Sequence, residues 1–184
     1  MREPREVLRP VHQLLDAFPE RPSGTRMTGL RTLVVGIGSP HGDDRAGWIV
    51  ADRVARAASE ARVAVRIARS PIEAVDWLDG VRHLVLCDAC RGLGPYGTTR
   101  RWEWPIPVDA RMDWSGTHDM PLPAVLALAE RLGKLPSRVV IWAVEGRPSA
   151  QHSDDAHLSP ELVPILDDLA MRIVRDIEES VERP

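Results

Sequence analysis

The sequence predicts an α/β protein, a three-layer α/β/α sandwich around a twisted, mostly parallel sheet of about five strands. Short, uninterrupted apolar runs rich in β-branched residues, at 33–37 (LVVGI) and 84–87 (LVLC), are typical of strands buried on both faces. Segments with apolar residues at helical spacing separate such runs. This alternation favours parallel strands joined by helices that cover both faces of the sheet.

The length and the charge of the chain limit what it can be. Its 184 residues suffice for one domain with a proper core but are short for two. The formal net charge of -3, with acidic and basic residues interleaved, provides no basic stripe for nucleic acid and no polybasic membrane anchor. No apolar run approaches the roughly 18 residues of a spanning helix, and residues 1–6 (MREPRE) lack the apolar core of a secretory signal. We therefore expect a cytoplasmic protein that binds neither nucleic acid nor membrane. The sequence leaves its oligomeric state open, and a monomer is the favoured interpretation.

Residues 1–29 are predicted to form an N-terminal amphipathic helix and linker, separate from an α/β domain over 30–184. Apolar residues recur here at helical spacing, and prolines and a glycine then end the pattern before the first strand. These apolar residues are Val7, Leu8, Val11, Leu14, Leu15 and Phe18. A helix packed on its own domain is the favoured interpretation, and an arm that binds a partner is the alternative.

Strands and helices then alternate through the first half of the domain. A strand is predicted over 32–37, followed by a helix over about 44–58 with its apolar residues on one face. A second strand covers 63–67. A short helix follows over 71–78, since proline is tolerated in a first helical turn. The third strand, fully apolar, covers 84–87.

The second half of the domain continues the alternation. A glycine-rich turn over 91–97 precedes a strand over 98–104, in which charged residues alternate with tryptophans as in an edge strand with one solvated face. A helix is predicted over 120–132 and a strand over 138–144. A long final helix begins near Ser159, where serine, proline and glutamate form a start signal.

Polar side chains that a core does not need lie at three predicted element ends. Asp43 and Asp44 follow the first strand, Asp88 follows the third strand, and His118 precedes the helix at 120. Ligands of open α/β sheets bind beyond the carboxyl ends of the strands, near the point where the strand order reverses. If the first and third strands are near neighbours, Asp44 and Asp88 come within reach of one another, and His118 can complete the set.

Two carboxylates and an imidazole suit a borderline divalent metal such as nickel or zinc. Two like charges in a dry crevice also need a cation or a proton between them. Each residue has a structural alternative, however. Asp43 or Asp44 can cap a helix, Asp88 can cap the turn that follows it, and His118 can be a hydrogen-bonded histidine at a helix start.

Other histidines form weaker candidate sites. His41 lies in a Pro-His-Gly turn, which explains it more simply than metal binding does. His152 and His157 flank Asp154 and Asp155 at a spacing that resembles a metal site. They lie in a predicted polar loop, where a solvated surface is the favoured interpretation.

Two further motifs point to other chemistry but lack parts that it requires. Cys87 and Cys90 form a lone C-x-x-C pair, and no second pair completes a four-thiolate zinc site, so core cysteines are favoured over zinc or redox chemistry. The run 36–38 (GIG) begins like a dinucleotide fingerprint. His41 replaces its third glycine, and the aspartates that follow would repel a pyrophosphate.

A set of motifs, in order along the chain, resembles the hydrogenase maturation proteases. The resemblance covers about 31–179, which is everything except the N-terminal extension. Each motif is weak alone, whereas the ordered set with similar separations is more specific. The motifs are 34–38 (VVGIG), Asp43-Asp44 with Gly47, 84–89 (LVLCDA), Thr117-His118 with Leu122 and Val125-Leu126, and 158–162 (LSPEL).

The resemblance implies a three-layer α/β fold and an endopeptidase activity. Such proteins remove a C-terminal extension from the large-subunit precursor of a nickel–iron hydrogenase after nickel has been installed. The metal-contacting residues of the family map onto Asp44, Asp88 and His118. The nickel comes with the substrate in this scheme and helps to polarise the scissile carbonyl, while Asp43 or Asp88 serves as the base for water.

Two functions of other classes remain open on the sequence. A non-catalytic nickel-binding, chaperone-like module would hold the precursor without changing its mass. A hydrolase of nucleosides or small amides with a similar sheet would act on small substrates and would not depend on nickel.

Overall fold

The structure, a computed structural model, describes residues 8–18, 32–59, 63–107, 112–114, 120–147 and 158–182. One mixed sheet forms the centre of this part of the chain. None of the helices in these ranges combines the length and the apolar character that crossing a membrane requires.

The sheet contains six strands among the described residues, in the order β2-β1-β3-β6-β4, with β5 paired to β3. They are β1 (Thr32–Ile37), β2 (Val63–Ala68), β3 (His83–Arg91), β4 (Thr99–Glu103), β5 (Asp113–Trp114) and β6 (Arg138–Glu145). Strands β2, β1, β3 and β6 run parallel, whereas β4 and β5 are antiparallel to their neighbours. The predicted mostly parallel sheet is confirmed, and β4 is the predicted edge strand. The sixth strand, β5, is two residues long, too short for a sequence period to reveal.

Helices and 3-10 segments connect the strands. The α-helices are α1 (Val11–Ala17), α2 (Ala46–Ala57), α3 (Leu122–Arg131) and α4 (Val163–Glu182), and the 3-10 segments are Gly42–Arg45, Pro71–Trp77 and Pro160–Leu162. The helix predicted over 44–58 therefore begins two residues later, after a 3-10 turn that contains both aspartates. The short helix predicted over 71–78 is a 3-10 segment.

Helices cover both faces of the sheet and bury it in two main clusters. On one face, Val34 and Val85 of the sheet pack with Trp48 of α2 and Leu166 of α4. The other face packs against α3 and the 71–77 segment. Every residue of β1 is buried, because successive side chains of a central strand enter opposite clusters. This is the predicted three-layer arrangement.

Helix α1 packs on the same domain. Leu14 is 1% exposed and belongs to the cluster formed by α2 and α4. The guanidinium of Arg9 lies 2.8 Å from the carboxylate of Asp52 on α2. These contacts are those expected of a helix that packs on its own domain. The predicted linker between α1 and β1 falls on residues 19–31, which lie outside the described residues.

The third strand is longer than predicted. The sequence places Asp88 after a strand over 84–87, whereas β3 continues to Arg91. The pairing of β3 with β1 ends at Cys87, but its pairing with β6 continues to Cys90, and β5 pairs with its last two residues. Asp88 therefore lies inside β3, at the first position beyond the end of β1.

Candidate functional site

The candidate site lies where the strand order of the sheet reverses. From β1 the chain passes through α2 to β2 on one side, and then crosses to β3 on the other side. Asp44 follows β1, and Asp88 is in β3, the hydrogen-bonded neighbour of β1. The first and third strands are thus neighbours, which is the condition for bringing Asp44 and Asp88 within reach of one another, and the two aspartates lie at the usual ligand position of an open α/β sheet.

Two glycines let the start of α2 lie directly on the strands. A Cβ at Gly47 would be 2.1 Å from a carbonyl oxygen of β1 and 2.5 Å from one of β3, and a Cβ at Gly36 would be 2.1 Å from the carbonyl oxygen of Gly47. Only glycine permits so close an approach of two backbones. The 42–45 turn, which precedes α2, consequently contacts β3 beside Asp88.

Asp88 is a fully buried carboxyl group. Its exposed fraction is 0%, and among the described residues neither of its oxygens has a hydrogen-bond partner of ordinary geometry. Asp44 is half-buried, and its Oδ1 is likewise buried without a hydrogen-bond partner among the described residues. Buried polar atoms are nearly always paired, so three such oxygens at one place make this a candidate ligand site.

The two carboxyl groups affect one another. Burial raises the pKa of Asp88 well above its usual value, the negative charge of Asp44 raises it further, and the backbone amide of Ala89 opposes only part of this. The two carboxyl groups therefore lie close enough to interact electrostatically. Asp88 therefore holds a proton readily, and a divalent cation would neutralise the pair in its place.

Asp43 has different surroundings. It is 3% exposed, and its Oδ2 accepts hydrogen bonds from the Tyr96 hydroxyl at 3.1 Å and the Arg147 amide at 2.9 Å. Its Oδ1 accepts one from the Ser159 amide at 3.0 Å. Both oxygens of Asp43 are therefore engaged by other segments of the chain.

The capping alternatives do not describe these acids. Arg45 occupies the N-cap position of α2 and makes no side-chain cap hydrogen bond. The turn after β3 is held by Glu145 rather than by Asp88, since its carboxylate accepts hydrogen bonds from the amides of Gly92 at 3.2 Å and Leu93 at 2.6 Å.

Several residues around the site were not among the candidates from the sequence. They are Glu145, Tyr96, Arg147 and Ser159, of which only Ser159 belonged to a recognised motif, as part of a helix start. The guanidinium of Arg147 also stacks on the ring of Tyr96, 4.1 Å from its centre. These residues are separated from their partners by 52 to 116 positions, so no local motif could have identified them.

The two cysteines lie in the core. Both are buried and free, in two different apolar clusters. Residues three apart in a strand point to opposite faces, so these thiols cannot jointly hold one metal ion. Burial raises the pKa of both thiols, that of Cys90 to about 12. This agrees with the favoured interpretation of core cysteines.

The structure brings together part of the predicted site. Asp44 and Asp88 meet, and His41 is exposed at the entrance of the 42–45 turn. Residues 115–119, with His118, lie outside the described residues, as do His152, Asp154, Asp155 and His157. Within the described ranges no three histidine, cysteine, aspartate or glutamate side chains form a metal-sized group. The ligand role of His118 remains a prediction.

Comparisons with known proteins bear on the fold. No protein-family model and no curated protein sequence matches the chain. Several solved structures match the chain in fold. The hydrogenase maturating endopeptidase HybD from E. coli is 16% identical, with 82% of this chain and 94% of that chain covered and a TM-score of 0.63. The NiFe hydrogenase maturation protease HycI from Thermococcus kodakarensis is 21% identical, with 81% and 93% covered and a TM-score of 0.60. A third, described as an endopeptidase from Escherichia coli, is 15% identical with a TM-score of 0.64, and 82% and 94% are covered. The resemblance of the motifs is thereby confirmed at the level of structure: this chain has the α/β fold of the hydrogenase maturation proteases.

Proposed function

We propose that the protein is an endopeptidase that removes the C-terminal extension of a hydrogenase large-subunit precursor. Asp44, Asp88 and His118 bind the nickel ion that the precursor carries. The observation that supports this best is the pair of adjacent, desolvated carboxyl groups at the strand-order reversal, with three buried oxygens unpartnered among the described residues. The fold shared with maturation endopeptidases supports the same assignment.

The pair of acids suits a divalent ion that arrives with the substrate. An unoccupied pair keeps a proton, because burial and mutual repulsion disfavour two negative charges. A divalent ion compensates both charges, and carboxylate oxygens are acceptable ligands for nickel. Since a protonated Asp88 needs no resident metal, the site can stay empty until a metal-loaded precursor binds.

The chain around Asp88 supports the inclusion of His118. Trp114 of β5 pairs with Cys90, two residues beyond Asp88. Leu122, at the start of α3, packs with Leu86 on the face of the sheet toward which Asp88 also points, because the two strand residues are two apart. Trp114 and Leu122 flank the part of the sequence that carries His118, and both lie on or against β3, which supports the inclusion of His118.

The proposed chemistry divides between the substrate and the protein. The nickel ion of the precursor supplies Lewis acidity at the scissile carbonyl. Asp44 and Asp88 orient the precursor by holding its metal. Binding of the metal displaces the proton of Asp88. An oxygen of Asp88 that accepts no well-formed hydrogen bond from the described residues then takes the proton of the attacking water and passes it to the amide nitrogen as the C–N bond breaks. Cleavage then depends on metal loading, because an empty precursor offers nothing for these acids to hold.

The test is incubation of the purified protein with a nickel-loaded large-subunit precursor, followed by mass spectrometry of the precursor. We expect loss of a C-terminal fragment. Asp44→Asn, Asp88→Asn and His118→Ala should each lower the rate at least about 100-fold, as removal of a transition-state-stabilising group does. Asp79→Asn is the matched control, since Asp79 is exposed in the turn that precedes β3, at the opposite edge of the sheet.

The other outcomes distinguish the alternatives. An unchanged precursor mass with stable, nickel-dependent binding would indicate the chaperone-like module. Hydrolysis of small amides or nucleosides without nickel would indicate a small-molecule hydrolase. Processing by Asp88→Asn at the wild-type rate would contradict the proposed site.

A further inference from the structure

We propose that Asp43 is a positioning residue that braces the turn presenting Asp44 to Asp88, and that it is not the base of the reaction. It does so by binding three segments that are distant in sequence. The catalytic consequence rests on the proposed function, whereas the bracing itself can be tested without it.

The number and direction of the hydrogen bonds to Asp43 support a positioning role. Asp43 accepts from Tyr96 in the turn after β3, from Arg147 just after β6, and from Ser159 just before α4. Two of the three donors are backbone amides, which have fixed positions and no alternative partner side chain. An ionised carboxylate accepts on both oxygens and is therefore the group that suits this position.

The chain also fits closely around Asp43. A Cβ at Gly146 would lie 3.2 Å from the Cβ of Asp43, so the segment after β6 approaches this side chain closely because residue 146 is glycine. Asp43 is 3% exposed. Water therefore has little access to replace a lost hydrogen bond, and removal of the carboxylate leaves buried amides unpaired.

Hydrogen bonds of the turn that contains Asp43 also fix the backbone of Asp44. The carbonyl oxygen of Asp44 accepts a hydrogen bond from the Ser39 amide at 3.3 Å, and Arg45 donates to the carbonyl of Pro40 at 2.6 Å. The turn thus closes on itself at one end and is held by Asp43 at the other. Asp43 faces the three loops, and its neighbour Asp44 acts on Asp88.

The same contacts exclude a role as base. Each oxygen of Asp43 already accepts at least one hydrogen bond from the protein. Protonation of Asp43 during turnover would weaken these bonds and release the loops. Asp88 has no such engagement, so the two candidates for the base are separated by their surroundings.

Amide hydrogen exchange tests the bracing directly. In Asp43→Asn, the exchange of the Arg147 and Ser159 amides should accelerate at least about tenfold, and that of Ser39, which reports on the position of Asp44, should accelerate with them. Asp52→Asn is the matched control, because Asp52, on α2, is also buried, at 4% exposed. Its carboxylate pairs with Arg9, which precedes α1, and with Arg56 of α2. Unchanged exchange at Ser39 in Asp43→Asn, with faster exchange at the two donors, would overturn the link to Asp44.

A backbone variant isolates one of the three hydrogen bonds. Ser159 has φ -60°, which proline adopts without strain, so Ser159→Pro deletes the amide donor at a compatible position. Ser159→Ala keeps the amide and removes only the hydroxyl near Tyr96. We expect faster exchange at Ser39 in Ser159→Pro and wild-type exchange in Ser159→Ala. Equal exchange at Ser39 in both variants would overturn the proposal.

The pH profile of processing separates a positioning residue from a base. For Asp43→Asn we expect kcat to fall about 10- to 100-fold, while the acidic limb of the profile stays at the wild-type pH. Disappearance of that limb would make Asp43 the base and overturn the proposal. If the wild-type protein processes no precursor, the proposed function fails, and the exchange of the Ser39 amide still decides the bracing.

Discussion

Asp43 and Asp44 are adjacent in the chain and identical in chemistry, yet their surroundings differ completely. Asp43 accepts hydrogen bonds from three distant segments, whereas Asp44 has a buried oxygen without a hydrogen-bond partner among the described residues and lies beside the buried Asp88. An engaged carboxylate contributes to stability, and an unengaged buried one costs stability. The first has the environment of a structural residue and the second that of a ligand residue.

Asp88→Asn is expected to stabilise the protein at neutral pH even though it removes the proposed activity. The pKa of Asp88 is higher in the fold than its ordinary value of 3.8, so the folded state binds the proton more tightly than the unfolded state does. The stability that Asp88 contributes is therefore complete at low pH and is lost as the pH rises through the raised value. A neutral amide avoids this loss, by about 1–3 kcal/mol.

Urea unfolding at pH 5 and pH 8 measures this effect. The advantage of Asp88→Asn over the wild type should be larger at pH 8, and Asp79→Asn should show no advantage at either pH. A variant that is less stable than the wild type at both pH values would show that the carboxyl group of Asp88 is well accommodated.

At the scale of secondary structure, the site depends on how closely α2 approaches the ends of β1 and β3. Gly36 and Gly47 permit that approach because neither has a side chain to separate the backbones. The 3-10 turn at 42–45 then carries both aspartates to β3, where the strand continues beyond the end of β1. Pairing of β3 with β6 keeps Asp88 on a rigid strand rather than on a loop.

Gly47→Ala should destabilise the protein although alanine is the better helix former. The helix propensity gain is about 1 kcal/mol, but the new Cβ would meet backbone carbonyl oxygens at 2.1 and 2.5 Å. We expect a net loss of about 2 kcal/mol or more, measured as a lower urea midpoint. Ala57→Gly, at the exposed last position of the same helix, should cost about 1 kcal/mol or less, through propensity alone. An increase in stability for Gly47→Ala would show that the helix can move away from the strands.

At the scale of the whole molecule, one sheet carries the candidate site at the carboxyl ends of its strands, and the N-terminal helix packs on one of its faces. The candidate site combines the ends of β1, β3 and β6 with the start of α4, through the contacts of Asp43. Helix α1 lies on the face covered by α2 and α4 and contributes Leu14 to the core there. It is therefore part of the structural unit whose other elements build the site.

Leu14→Ala tests whether α1 belongs to the cooperative unit. A leucine that is 1% exposed should cost about 2–5 kcal/mol on truncation, which lowers the urea midpoint of the entire domain. Met171→Ala, on the exposed side of α4 where the residue is 54% exposed, should change stability by about 0.5 kcal/mol or less. Coincident transitions by circular dichroism and tryptophan fluorescence should accompany both variants. A wild-type midpoint for Leu14→Ala would show that α1 unfolds separately.

Much of the fold was predictable from local patterns. The apolar runs at 33–37 and 84–87 are buried strands because an uninterrupted apolar segment is stable only with both faces covered. Helical spacing located α2, α3 and α4 to within a few residues. Helices α3 and α4 have one buried face, whereas α2 is buried on all sides over 46–54. The 3-10 character of the segments at 42–45 and 71–77 was not predictable, because such short turns have no period of their own.

The sequence by itself determined the layers of the fold and the acids Asp44 and Asp88 as candidates, because spacing and residue type are local properties. Only the tertiary structure decided the hydrogen-bond partners of Asp43, the length of β3 and the contacts of Glu145. The partners of Asp43 lie 53, 104 and 116 positions away, and those of Glu145 lie 52 and 53 positions away. Contacts over such separations are set by how the elements pack, and the residues that make them carry no pattern that could be recognised before the chain is folded.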